Sequence, residues 1–89
     1  MINRKKLKSG DLVRVIGVPR NSYSHHPLSE FIQDNRDSDI GRVTCVDGDG
    51  KHIDVVGAVT DEDNWDWWPE DLEELSENEI MLFKYQFNR

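Results

Sequence analysis

The chain has 89 residues, 36% of them apolar and 33% charged, and its 18 acidic against 11 basic side chains give a formal charge of −7. A chain this short buries about 60–65% of its extended surface, so it holds one thin core and no separate catalytic and cofactor domains. The acidic balance excludes a protein whose whole surface grips nucleic acid by neutralising phosphates. One cysteine, Cys45, closes no internal disulfide and rules out a zinc site built on paired cysteines. No apolar run approaches the roughly 18–20 residues that span a bilayer. The basic start, Met1–Lys8, has no hydrophobic region behind it, unlike a signal peptide. The expectation is a cytoplasmic protein with no membrane partner.

Residues 1–8 read as a basic arm. Leu12-Val13-Arg14-Val15-Ile16, set between Gly10-Asp11 and Gly17-Val18-Pro19, reads as a first strand with Val13 and Val15 on one face and Arg14 on the other. Residues 20–39 form a long loop with one helical turn at Leu28–Ile32, anchored to the core by Phe31 and Ile32. Loops this long in small domains are usually functional or mobile. Ile40–Val46 is the second strand, with Cys45 on or near the core as a small apolar residue. Asp47-Gly48-Asp49-Gly50 supplies a tight hairpin turn, because Gly and Asp tolerate positive φ. Lys51–Val56 returns as the third strand, with Ile53 and Val55 inward and His52 and Asp54 outward.

Gly57 to Asn64 reads as a second, acidic loop. Trp65-Asp66-Trp67-Trp68 is an aromatic strand, stopped by Pro69, which cannot donate to a ladder. Pro69–Leu72 suggests a single 3-10 or helical turn and Leu72–Leu75 a last short strand. Ser76-Glu77-Asn78-Glu79 matches a capping box. Ile80, Phe83, Lys84 and Phe87 then fall at i, i+3, i+4 and i+7, which favours a C-terminal helix within residues 76–89 over a strand.

The order Gly-Asp-x-Val-x-Val, long loop, Ile-Gly-x-Val, Asp-Gly hairpin, aromatic strand and Pro-Glu-Asp-Leu resembles SH3-like small barrels of the bacterial and phage type. The photosystem I accessory subunit, KOW-type modules and mind-bomb-type repeats share that plan. The resemblance covers roughly residues 9–75 and implies a mainly β fold: a single small barrel with a long first loop and a short C-terminal helix. Gly10–Val15 would be its first strand, Ile40–Val43 the start of its second, and Trp68–Leu72 the turn before its closing strand. The chain lacks the Ala-Leu-Tyr-Asp-Tyr opening and Pro-x-Asn-Tyr close of signalling SH3 domains. Trp-Pro-Glu-Asp-Leu also resembles segments of small phage proteins, which would place the protein in host cytoplasm. The fold hosts many binding tasks, so function must come from the site.

From Asp61 to Glu79 there are ten acids and no Lys or Arg. Such a stretch is commonly a solvated face; its sharper reading is a surface that steers a basic partner, or, at the extreme, an inhibitor that mimics a nucleic-acid backbone in the groove of a host enzyme. Burying all of Trp65, Trp67 and Trp68 in so thin a core would be difficult, so at least one is expected at the surface as a binding hot spot. The candidate protein-binding set is Tyr23, Trp65, Trp67, Trp68 and Pro69 with the acids Asp66, Glu70, Asp71, Glu73 and Glu74. The first twenty residues carry six bases against Asp11. This is either a solubilising arm or, in an alternative reading, a nucleic-acid contact through Arg4, Lys5, Lys6, Lys8 and Arg14.

His25, His26 and His52 suggest no metal site, since adjacent histidines in a polar loop are usually just exposed. The turn at Asp47 has no glutamate at the twelfth position (Ala58 stands there), so it is no calcium loop. No Ser-His-Asp or Cys-His constellation is indicated. The sequence thus points to a non-enzymatic, protein-binding module without cofactors, acting on a partner with a basic surface.

Overall fold

The computed structural model describes residues 6–17, 27–46, 52–62 and 64–87. Its strands are β1 (Leu12–Val15), β2 (Ile40–Val46), β3 (Ile53–Gly57), β4 (Trp65–Trp67) and β5 (Leu72–Glu74). The helices are α1 (Pro27–Asp34) and α2 (Glu77–Phe87), and a 3-10 turn at Pro69–Asp71 joins β4 to β5. All strand pairs are antiparallel, in one open sheet of order β4-β3-β2-β1-β5. The fold is therefore mainly β, with a short C-terminal helix.

Strand alternation builds the core. Val13, Val15, Val43, Ile53, Val55, Trp67 and Leu72 turn to one face, where Phe31 of α1 closes over them. That Trp67 and Leu72 share one core, although they stand on the two outer strands, shows how strongly the sheet coils. Phe31 meets Trp67 edge-to-face, with centroids 5.7 Å apart at 82°, the arrangement aromatic quadrupoles favour. Gly41 on β2 makes room for this. A Cβ there would lie 2.3 Å from Val55 Cγ1 and 3.3 Å from Phe31 Cζ.

The other face carries a smaller cluster. Phe83 of α2 is buried with Ala58 and Val59, and Leu12, Ile40 and Phe87 pack against them. Phe83 and Phe87 of the predicted stripe thus form the inward side of α2, while Ile80 is part-buried and Lys84 exposed. The capping box forms as the sequence predicts: Glu79 N–H donates to Ser76 Oγ at 3.1 Å and Ser76 N–H donates to Glu79 Oε1 at 3.1 Å.

Several expectations need correction. The helical turn at Leu28–Ile32 extends to the eight residues of α1. β1 ends at Val15, and Ile16 is 42% exposed. β3 starts at Ile53 and runs through Gly57, while β5 stops at Glu74. Cys45 is exposed. The β2–β3 register shifts between Val43 and Cys45, so Thr44 and Cys45 both face outward and the alternation resumes one residue late. Residues 57–64 are no solvated loop throughout, because Ala58 and Val59 are buried at 1% and 4% exposure. The hairpin turn at residues 47–50 and the long-loop segment at residues 18–26 lie outside the described residues.

The buried polar residue Asn35 explains how an acidic segment can enter the core. Its Nδ2 donates to Ser38 O at 2.9 Å and to Ile40 O at 2.7 Å. Its Oδ1 accepts from Val59 N–H at 2.8 Å and Thr60 N–H at 3.3 Å. One amide therefore satisfies backbone groups of both the α1–β2 turn and the turn after β3, as a buried polar group requires. Gly57 lies directly beneath, where a Cβ would fall 2.6 Å from Asn35 Oδ1. α1 ends in a Schellman-type closure: Asp37 N–H donates to Ile32 O at 2.8 Å and Arg36 takes left-handed φ (54°).

Candidate functional site

Of the three tryptophans, one is removed from the surface altogether. Trp67 is fully buried, and its indole N–H has no hydrogen-bond partner among the described residues. It is a core residue, because β3 pairing sets it opposite Ile53 on the α1-covered face. Trp65 shares that face and lies 6.4 Å from Trp67 between centroids, but it is only half-buried at the sheet margin. Pro69 is buried in the 3-10 turn. Neither Trp67 nor Pro69 can serve as a contact ring. Trp68 stays half-buried, stacked edge-on against His52 with centroids 5.8 Å apart. Tyr23 lies outside the described residues.

The acids sort by element. Asp66 is half-buried on β4, directly opposite Asp54 of β3. Asp71 is half-buried, its carboxylate filling the space over Gly17, where a Cβ would meet Oδ1 at 2.1 Å. Glu70, Glu73 and Glu74 are exposed. Glu70 sits on the 3-10 turn just after Trp68, and Glu73 and Glu74 on β5, an edge strand paired only with β1. β4 and β5 are the two margins of the sheet, so the run from Trp65 to Glu74 is not one continuous patch. Trp68 and Glu70 lead directly into β5, where alternation sets Glu73 on the Arg14 side of the edge strand and Glu74 on the Leu72 side.

The described arginines of the sheet are committed elsewhere. Arg14, on the outward face of β1, makes an ion pair from Nε to Asp39 Oδ2 at 3.3 Å and a second from its guanidinium to Glu79 of α2. Arg42 pairs with Asp61. The hydrogen bond to Glu79 raises the Arg14 pKa further, with Asp39 and Glu73 adding to it. Arg14 is therefore no free phosphate contact. Arg4 and Lys5 fall outside the described residues, whereas Lys6 and Lys8 are exposed. The groove between α2 and the 36–40 turn, about 340 Å³, is lined by Arg14, Arg36, Asp37, Asp39 and Glu79, and Arg14 already pairs with Asp39 and Glu79.

Glu79 links α2 to the sheet and responds to pH. The hydrogen bond from the Ser76 backbone, and then that from Arg14, hold its carboxyl below the ordinary carboxylate range. A depressed folded-state value favours the folded, ionised form, so its contribution is complete above the ordinary range and is lost as pH falls through the lowered value. Acid titration followed by circular dichroism should show α2 loosening on that limb, and Glu79→Gln should remove that part of the pH dependence.

No family model, curated protein or solved structure matches the chain.

Among the described residues, no three His, Cys, Asp or Glu side chains stand together so as to hold a metal ion. Nor is any helix among them long and apolar enough to cross a membrane. His25 and His26 lie outside the described residues. The pattern of exposed acids was legible in the sequence. Sequence reasoning missed that Arg14 and Arg42 form their ion pairs with Asp39, Glu79 and Asp61, while of the β5 acids Glu73 lies beside Arg14, because the bonds to Asp61 and Glu79 close over 19 and 65 residues of chain.

Proposed function

We propose that the protein is a non-enzymatic, protein-binding module on the SH3-like small-barrel plan, and that it captures a basic partner surface through Trp68, Glu70, Glu73 and Glu74. The return of β5 beside β1, after a meander from β1 to β4 and a 3-10 turn, supports that plan. The observation that carries the binding reading is local. Three exposed acids follow a part-exposed tryptophan within six residues, on an edge strand and its leading turn. The sheet's own arginines are held by other carboxylates.

The chemistry is steric and electrostatic. The ring of Trp68 offers apolar area at low entropic cost, and the acids steer a basic rim into register. The contrast with Trp67 matters here: the fully buried ring holds the fold, and the neighbouring, part-exposed ring is the one left to meet a partner. Acids along an edge strand also discourage indiscriminate strand addition, so the contact is made by side chains rather than by extending the sheet.

Capture from lysate by the immobilised protein tests this. The variant E70K/E73Q/E74K should lose about tenfold or more of its captured partner; Gln at 73 avoids setting a cation beside Arg14. Raising the salt should weaken wild-type capture in the same direction. Full capture by a folded triple variant would contradict the reading.

A further inference from the structure

α2 has a second apolar side that no other described element covers. Met81, Leu82 and Tyr85 are 65%, 67% and 90% exposed, and with Asn78 they line one continuous concave strip. At 100° per residue these positions lie opposite Phe83 and Phe87, the side that packs on the sheet. The strip is presented rigidly. The Ser76–Glu79 box fixes the start of α2, Arg14 ties Glu79 to β1, and Phe83 is buried beneath.

We infer that this strip is a self-association face, on which a second copy of the chain packs its own α2 antiparallel about a two-fold axis near Met81 and Leu82. The charges bordering the strip carry the choice of occupant. Glu77, in the first turn of α2, and Lys84, in its last turn, are exposed and seven residues apart on the same flank. When two such helices run antiparallel, the same flanks meet, and Glu77 of each copy comes beside Lys84 of the other. Parallel packing would instead set the Glu77/Lys84 flank of each copy beside the opposite flank of the other, which carries Glu79 and Gln86 and offers Lys84 no such partner at its own level. The antiparallel arrangement also opposes the helix dipoles, and Asn78 of one helix faces Tyr85 of the other. The face is thus self-complementary in shape class and charge, as an isologous contact must be.

Eleven residues of helix span only about 16 Å. The contact is smaller than a standard interface, and the dimer should form at about tens to hundreds of micromolar. The inference does not depend on the basic-partner reading, which uses a different surface.

Sedimentation velocity over a concentration series tests it, with the near-ultraviolet dichroism of the buried tryptophan reporting the fold. Wild type should show a monomer–dimer equilibrium that stops at the dimer. Leu82→Glu, at an exposed position, should stay folded and weaken association about a hundredfold. Glu77→Lys and Lys84→Glu should each weaken it about tenfold, because each places like charges at both flanking contacts. Mixed together, the two variants should associate at least as well as wild type, since every flanking pair is then opposite in sign. The Glu77→Lys result is decisive against a general charge effect. That change lowers the chain's net negative charge and would strengthen any association limited by overall repulsion. A wild-type monomer at millimolar concentration, open-ended oligomers, a dimer indifferent to Leu82→Glu, or single variants not rescued by mixing would each overturn the inference.

Discussion

Replacing Trp67 with alanine is expected to cost about 3–5 kcal/mol, the usual range for truncating a buried aromatic ring. A domain of this length has about 4–13 kcal/mol in all, so the variant should be largely destabilised, with a much lower denaturant midpoint. The reason lies in where the ring sits: fully buried against Phe31, Ile53, Val55 and Leu72, beneath α1. Trp67→Phe should cost clearly less, since the indole N–H makes no hydrogen bond among the described residues and only ring area is lost. Trp68→Ala should cost less still, because that ring is half-buried, while it removes a contact ring from the proposed binding surface. Urea melts of the three variants check the order. If Trp67→Ala and Trp68→Ala proved equally mild, the assignment of one ring to the core and the other to the surface would fail.

Asn35→Ala should be the second large effect, about 3–4 kcal/mol. The substitution leaves the carbonyl of Ser38 and the amide of Val59 without their side-chain partner, in a position 1% exposed, while the Ile40 carbonyl keeps the Ala58 N–H at 3.1 Å; each orphaned buried group costs about 1–3 kcal/mol before the structure relaxes. Asn35→Asp is the sharper probe. It keeps the acceptor for Val59 but turns an oxygen toward the two carbonyls that Nδ2 now serves. Burial and those carbonyls would favour the protonated acid, which could still donate one bond, so its folded-state pKa would be raised. A raised acid pKa means stability retained below the unfolded value and lost as pH rises. The Asn35→Asp variant should therefore be most stable in acid, opposite in sign to the Glu79 effect. A pH series of denaturant midpoints distinguishes the two.

These two residues mark where sequence was informative and where it was not. The capping box at Ser76–Glu79 was legible because both its bonds close within three residues, and Val13, Val15, Ile53 and Val55 because strand parity is local. The inward face of α2 was legible from its spacing. Asn35 was not, since its partners lie 3, 5, 24 and 25 residues away, and an asparagine after a helix otherwise reads as a simple turn residue. Cys45 was misplaced because one extra residue in β2 moves every later side chain to the other face. Parity put Trp65 and Trp67 together correctly, but only the position of α1 decides which is sealed. The site itself was half legible. The acidic run was evident, whereas its division between two sheet margins, and the allotment of Asp39, Asp61 and Glu79 to Arg14 and Arg42, depend on tertiary pairing. The outward strip of α2 was overlooked because one apolar stripe already accounted for the helix.

In the proposed mode of binding, the contact is localised to Trp68, Glu70 and the β5 acids rather than spread over every acid of the chain. The most direct measurement is the amide spectrum of the isotopically labelled protein titrated with a lysine-rich peptide at low and at high salt. Saturable shifts centred on residues 68–74 are expected, with the indole signal of Trp68 moving and that of Trp67 still, and they should be lost as salt rises. Shifts distributed evenly over the acidic residues, or centred on α2 or on residues 6–8, would contradict it.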